Sequence, residues 1–493
     1  MLAYSKRGLA SGVSLLIACY SSPGLGEGRW NARAGASTSL TVTDNVCLEP
    51  NGDEVGWVTT FTPRASVHHK GRHSSLDLNG SVQMNSLTNS LLKSKGCRGN
   101  YDDREQYNPQ LEAAYRRTIV PGKFTVTARG RVRQNEVSSR FREQDEFNRT
   151  ANTNTYYRYW ITPSYSQRLF GSSVAMNTSY TWDQLFNTSD LLTDSNRHRF
   201  KIKFTNKTRS RWSQNISAKH NITQFGENRS GVTKKDQEYG SANLGMGYRF
   251  SSKLAVNGSY GYDWSNFRSL GTNNTGGDAW SVGLSWSPSP RTSVRLSQGN
   301  RFFGNTPKID ISHQHKRSQF TLSYDKTLRF QRDIRTSNVG GFPGEIPNLD
   351  NPSIYTNDPI IDERLRGGWT YRGVRTNLML TGNYSDQRRR EEGEPYIFKN
   401  VMFTVAPNIS TRYRFSGSVN WQEDEPREIE FPGEGPIDTL GKSQIWTYSL
   451  QVSRTFSQNL STYLVYRFRD RDGSTELGDY QENSITATLS YTF

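Results

Sequence analysis

Cysteine is nearly missing from this chain, with three among 493 residues, at Cys19, Cys47 and Cys97. No CxxC pair and no CxxCH haem-attachment motif occurs, so the chain reads as carrying no covalent haem and no other cofactor. Beyond the leader only two cysteines remain, too few for a zinc site. Long apolar runs are missing as well. After the first thirty residues nothing approaches the roughly 18 consecutive apolar residues of a membrane helix. Apolar residues make up 33% of the chain, and the mean hydropathy is −0.79. Disorder would follow from such polarity if aromatics were scarce, but there are 25 Tyr, 23 Phe and 11 Trp. Local catalytic motifs such as GxSxG and HExxH are absent, and the chain reads as no enzyme.

What is present is alternation. In Ser484–Phe493 (SITATLSYTF), Ile485, Ala487, Leu489, Tyr491 and Phe493 fall on one side of an extended strand. Small hydroxylic residues fall on the other, because strand side chains alternate with a period of two. Leu489, Tyr491 and the terminal Phe493 resemble the C-terminal signal that the barrel assembly machinery reads in outer-membrane barrels. Alternating segments of this kind recur about 22 times, in pairs joined by tight turns such as Ser287-Pro288-Ser289-Pro290. Aromatics gather beside the turns (Phe170, Trp212, Phe250, Trp286, Tyr371, Phe456), as an interfacial girdle requires. The other connections are longer and polar: Ser90–Glu105, Gly226–Asp236, Arg268–Gly277, Glu423–Asp438 and Asp470–Asp479. The expected fold is therefore all-β: a transmembrane outer-membrane antiparallel β-barrel of about 22 strands, residues 27–493 as one domain. Short turns and both termini are expected in the periplasm and long loops outside.

The first 26 residues read as a signal peptide. Lys6 and Arg7 precede the short apolar stretch Gly8–Ala18, and small residues follow at Gly24 and Gly26. Leu16-Ile17-Ala18-Cys19 also fits a lipoprotein cleavage site. Cleavage near Gly26 is the preferred reading, since a barrel needs no lipid anchor. Cys47 and Cys97 then fall in the first two outer loops and are a disulfide candidate.

The net charge of +16 suggests nucleic acid in an ordinary basic protein, but an exported barrel meets none, and no nucleic-acid partner is expected. The cations form ladders instead: Arg129, Arg131 and Arg133; Arg197, Arg199, Lys201 and Lys203; Arg412 and Arg414; Arg467 and Arg469. Cations facing lipid at mid-bilayer cost about 2–4 kcal/mol each, so these side chains belong to the lumen. Either they attract anions, or they pair with carboxylates such as Glu112, Asp263 and Asp325 to hold the barrel's shape. His68, His69 and His73, like His313 and His315, read as turn-end interfacial residues rather than metal ligands. Glu423-Asp424-Glu425 reads as the start of a solvated acidic loop. The proline-stiffened connection Asp333–Ile360 reads as a lumen constriction or a cap on the mouth.

Thr43-Asp44-Asn45-Val46, followed by Thr62-Pro63 and Gly71, resembles the opening of the outer-membrane barrel proteins associated with PEP-CTERM/exosortase systems. That resemblance implies a barrel over nearly the whole chain and a link to polysaccharide export or surface assembly; it carries over no functional residues. A second resemblance, to the large barrels that sheath multihaem cytochromes, is opposed by the missing CxxC and the smaller size. The sequence thus predicts a channel for an anionic solute or an acidic exopolysaccharide. The alternative is a docking barrel that holds a periplasmic or surface partner such as a cytochrome. Outer-membrane lipid and the assembly machinery are the other expected partners.

Overall fold

Alternating segments can satisfy their backbone polar groups in lipid only by pairing into a closed sheet, and the chain does so. A computed structural model describes residues 28–493 apart from 47, 49, 51–54, 88–104, 137–152, 171–172, 190–191, 207–210, 227–234, 268–274, 331, 333–358, 389–395, 408–409, 411, 426–441 and 474–478. The leader with Cys19, and Cys47 and Cys97, lie outside the described residues.

The strands are β1 (Arg29–Thr43), β2 (Gly56–Lys70), β3 (Ser74–Leu87), β4 (Glu105–Val120), β5 (Phe124–Glu136), β6 (Thr153–Leu169), β7 (Val174–Asn187) and β8 (Ser195–Asn206). Next come β9 (Trp212–Phe225), β10 (Gln237–Arg249), β11 (Leu254–Ser265), β12 (Gly276–Ser289), β13 (Thr292–Arg301), the two-residue β14 (Gly304–Asn305), β15 (Lys308–His315) and β16 (Ser318–Phe330). The chain finishes with β17 (Pro359–Arg372), β18 (Thr376–Arg388), β19 (Tyr396–Pro407), β20 (Tyr413–Glu425), β21 (Ser443–Thr455), β22 (Leu460–Asp472) and β23 (Tyr480–Thr492). Each strand pairs antiparallel with the next, β13 pairs β15 around β14, and β23 pairs β1, giving a closed barrel of 22 strands.

The terminal strand behaves as its pattern predicts. Ile485, Leu489, Tyr491 and Phe493 are exposed on the outer surface, while Ser484 and Ser490 are buried on the inner one. Its register with β1 runs from Gly35–Thr492 to Thr43–Ser484. Arg64 of β2 reinforces this seam by crossing over β1 and donating to Ser490 Oγ (2.7 Å) and Thr492 Oγ1 (3.1 Å). The crossing needs glycine at position 35: a Cβ there would lie 2.9 Å from Arg64 Nε and 2.7 Å from the Tyr491 carbonyl. The tetrapeptide Thr43-Asp44-Asn45-Val46 ties the other end of the seam. Thr43 donates to Glu482 (2.9 Å), Asp44 accepts from the Asn483 side chain (2.7 Å), and Asn45 donates to the Gln481 carbonyl (2.9 Å).

The outer surface carries the expected aromatic belt at the short-turn end. Phe170, Trp212, Phe250, Trp286 and Phe456 are all exposed there, and Trp212 packs at a tilt against Tyr248, ring centres 4.7 Å apart. His313 and His315, 6.5 Å apart, also face outward at that end. His68 faces inward toward Asp77 (3.0 Å), while the neighbouring His69 faces outward beside Trp30 (4.3 Å). The two histidines therefore do not converge, and no metal-competent cluster occurs among the described residues.

Several segments expected in loops are strand. Glu423–Glu425 ends β20, Asp470–Asp472 ends β22, Gly276–Gly277 begins β12, and Pro359–Ile360 begins β17. The strands run past the lipid at the long-loop end, where the outward face no longer has to be apolar, so polar sequence continues the ladder there.

Candidate lumenal site

A sheet of 22 strands, at about 4.8 Å spacing and a tilt of about 40°, closes at a backbone diameter of about 40 Å. That is too wide for wall side chains to fill, and near the middle they do not. Lys201 and Lys203 are exposed although they face inward, opposite Phe200, which is exposed on the lipid side. Arg129 is likewise exposed to the lumen. Hydroxyls and amides line much of the remaining wall, for example Ser179 beside Lys201 and Ser217 beside Lys203.

At the long-loop end the lumen is crossed. Beyond the last residue of β16, Arg332 reaches the opposite wall, where it donates to Asp183 of β7 at its carboxylate (2.9 Å) and its carbonyl (2.9 Å). Seven strands lie between β7 and β16 around the wall (β8 to β13, and β15), so this contact spans the bore. Asp183 also takes Arg158 in a two-point pair (3.0 and 2.7 Å) and Arg197 (2.8 Å). The carboxylate is only 2% exposed as a residue, so three guanidinium groups converge on one buried acid. Apolar contacts close the same level: Tyr239 and Phe267 from the β10–β11 side meet Phe302, Phe303, Ile361, Leu328 and Phe330. Arg301 clamps Asp263 with two bonds (2.8 and 2.7 Å) and also donates to the Tyr239 hydroxyl. On the hairpin that carries the bridge, Asp362 forms ion pairs with Arg364 (2.5 Å) and Arg329 (2.6 Å) and accepts a hydrogen bond from Ser385 (2.8 Å). In the loop between β7 and β8, burial pushes the Asp194 carboxyl above its ordinary range, against the pull of the Asn187 N–H.

The ladders predicted from sequence divide between these environments. Arg131 and Arg133 share Glu112 (2.7 and 3.6 Å), Arg197 belongs to the Asp183 cluster, and Arg469 lies 3.4 Å from the buried Glu482. Arg199 donates to Asn221 (3.1 Å), and Arg467 faces inward opposite Ser484. Asp263 and Glu112 do serve as counter-charges, and Asp325 pairs with Arg329 (3.5 Å). Arg412 lies in the turn before β20, and Arg414, the second residue of β20, faces inward near that turn; both are exposed. Glu423 does not begin a solvated loop. It faces outward, held by Lys399 (2.6 Å), Lys442 (2.8 Å) and Gln444 (2.7 Å).

Sequence reasoning missed the cross-lumen bridge. Asp183 and Arg332 are 149 positions apart, and neither belongs to a run. It also missed a second feature, at the short-turn end. None of the ten turns contains Asp or Glu, whereas Arg72, Lys123, Lys253, Arg291, Lys316, Arg317 and Arg375 all sit in them, exposed.

The closed antiparallel wall, its aromatic belt and its polar lumen define an outer-membrane β-barrel. No family model matches the chain, and no curated relative does. Solved structures share the fold. The siderophore receptor PirA from Acinetobacter baumannii superposes with a TM-score of 0.55 at 10% identity, over 94% of this chain and 80% of that one. The ferric enterobactin receptor PfeA from Pseudomonas aeruginosa gives 0.55 at 9% identity, over 94% and 82%. The FrpB iron transporter from Neisseria meningitidis gives 0.53 at 10%, over 94% and 81%.

Proposed function

We propose that this barrel is an outer-membrane passage for anionic solutes, a conduit rather than a catalyst, with short turns and termini on the periplasmic side. The single observation that carries the reading is the exposed inward-facing set Arg129, Lys201 and Lys203, cations that meet lumen water away from the ion-paired cluster. Such a wall concentrates anions, and dispersed weak sites let them leave again. The cross-lumen bridge through Arg332 and Asp183 narrows the bore at the long-loop end, and passage there is eased when Arg332 releases Asp183. The resemblance of Thr43–Val46, Thr62-Pro63 and Gly71 to barrels of PEP-CTERM/exosortase systems puts acidic exopolysaccharide among the candidate solutes. The similar solved structures are siderophore and ferric enterobactin receptors and an iron transporter, which adds iron complexes.

Planar-bilayer recordings test the reading. Under a potassium chloride gradient the reversal potential is expected on the chloride side, moving toward zero in the triple variant Arg129→Gln, Lys201→Gln, Lys203→Gln. Cation preference in the unmodified protein sinks it. A second reading, a docking barrel with no open pore, draws on the same bridge. It is favoured if removing Arg332 leaves conductance at background.

A further inference from the structure

The cations at the short-turn end form a second array, which meets the lumen ladder where Arg116 faces Thr127, two residues from Arg129. Arg116, Arg168, Arg249, Arg372 and Arg414 sit at strand ends on the inward face, each alternating with an outward residue such as Tyr115, Leu169, Tyr248, Tyr371 or Tyr413. All five are exposed, and they are spread around the circumference from β4 to β20. The turns beneath them add only cations, as noted above. Among the described residues, the inward carboxylates on this side of the lumen are Asp77, held by His68 (3.0 Å), and Asp310, 3.6 Å from Lys308.

Resting on the anion-passage reading and its orientation, we propose that this crown is a loading site for a linear acidic polysaccharide entering from the periplasm. Three observations select that occupant. The crown cations point into the mouth rather than toward lipid, so anionic headgroups are not their target. Among the described residues the aromatics at this end face outward except Tyr463, which leaves the mouth lined mainly by Arg, Lys, Ser, Thr and Gln and poor in the apolar anchors that a stable interface with a folded protein needs. The wall above offers hydroxyls and amides at Ser164, Ser179, Ser217 and Asn243, donors and acceptors suited to sugar hydroxyls as the chain advances. A ring of like charges without direct pairing holds a polyanion strongly at the rim yet lets it slide, because no single contact has to break at once.

The test uses the full-length barrel in detergent micelles and fluorescein-labelled oligogalacturonate of about a dozen sugars, read by fluorescence anisotropy. Binding is expected to weaken steeply with added salt. It is expected to fall about tenfold or more in the fivefold variant Arg116→Gln, Arg168→Gln, Arg249→Gln, Arg372→Gln, Arg414→Gln. A heat-modifiable band on gels checks that the variant still forms the barrel, and the triple variant R116Q/R249Q/R414Q gives a smaller step should the fivefold one fail to assemble. Undiminished binding in the assembled variants overturns the crown as the site. Polyglutamate of matched charge binding equally well overturns the sugar assignment. Reversal potentials of the unmodified protein, taken without polymer, report separately on the anion-passage reading. Chloride preference with no oligogalacturonate binding rejects the crown alone, and cation preference rejects the reading beneath it.

Discussion

At the long-loop end, Asp183 lies against three guanidinium groups and Asp362 against two, and both carboxylates are out of water. At the short-turn end, Arg116, Arg249 and Arg414 stand exposed over turns that contain no carboxylate. The same residue type thus serves two purposes in one lumen. Where water is excluded, a guanidinium must be matched, and the matched cluster cross-links strands far apart in the wall. Where the bore stays wet, an unmatched guanidinium costs little and contributes a long-range field instead. The difference lies in burial, which the one-dimensional pattern does not carry.

The sharpest break in that comparison is Asp183→Asn. Three cations would be left around a neutral amide, and the loss expected is about 3–5 kcal/mol of unfolding free energy, the range for breaking a buried pair. Urea unfolding in micelles followed by tryptophan fluorescence reads it; a midpoint like the unmodified protein's would mean the cluster is wet after all. Arg332→Ala removes only the bridging member, since Arg158 and Arg197 still pair with Asp183. The expected cost is about 1.5–3 kcal/mol, typical of hydrogen bonds to charged groups. Faster entry of a neutral sugar into proteoliposomes should accompany it, and unchanged entry would place the narrowing elsewhere.

Gly35→Leu attacks the seam rather than either mouth. The new side chain displaces Arg64 from Ser490 and Thr492, and about 1–3 kcal/mol of overpacking strain is expected. The readout is a lower temperature at which the compact gel band converts to the unfolded one. Arg64→Ala should lower it less, because it clears the crossing without forcing the backbone. The smallest effect on stability is expected from Lys201→Gln, within about 0.5 kcal/mol as for an ordinary surface site. Its reversal potential should nevertheless shift toward zero. A destabilised K201Q barrel would show that the mid-lumen cations are structural.

The fold was legible because lipid enforces a rule that sequence displays directly. Every outward position must be apolar and every backbone group paired, so SITATLSYTF announces its strand and its face without help from the rest of the chain. Legibility failed where that rule lapses. Above the lipid, Glu423–Glu425 and Asp470–Asp472 continue their strands with charged residues on both faces, and they resemble loops for that reason. The candidate site was half readable. Arg197 to Lys203 signalled the lumen by alternating with Phe200 and Phe204, but which of the four would be paired depended on Asp183, opposite Arg197 on the neighbouring strand β7. Arg332 had no local signal, since its partner sits across the bore. The basic crown was open to view as a composition bias, a set of turns without acids, yet it appears only once the turns are gathered at one end.

The crossing of Arg64 over Gly35 also has a consequence for how the barrel comes into being. Its partners lie more than 400 positions away, as do those of Thr41, whose hydroxyl meets Thr486 across a separation of 445. Until β23 arrives, β1 has one edge of unpaired amides and carbonyls that no other strand of this chain satisfies. Closing the barrel therefore requires the two ends of the sheet to meet, a contact of far greater sequence separation than any hairpin.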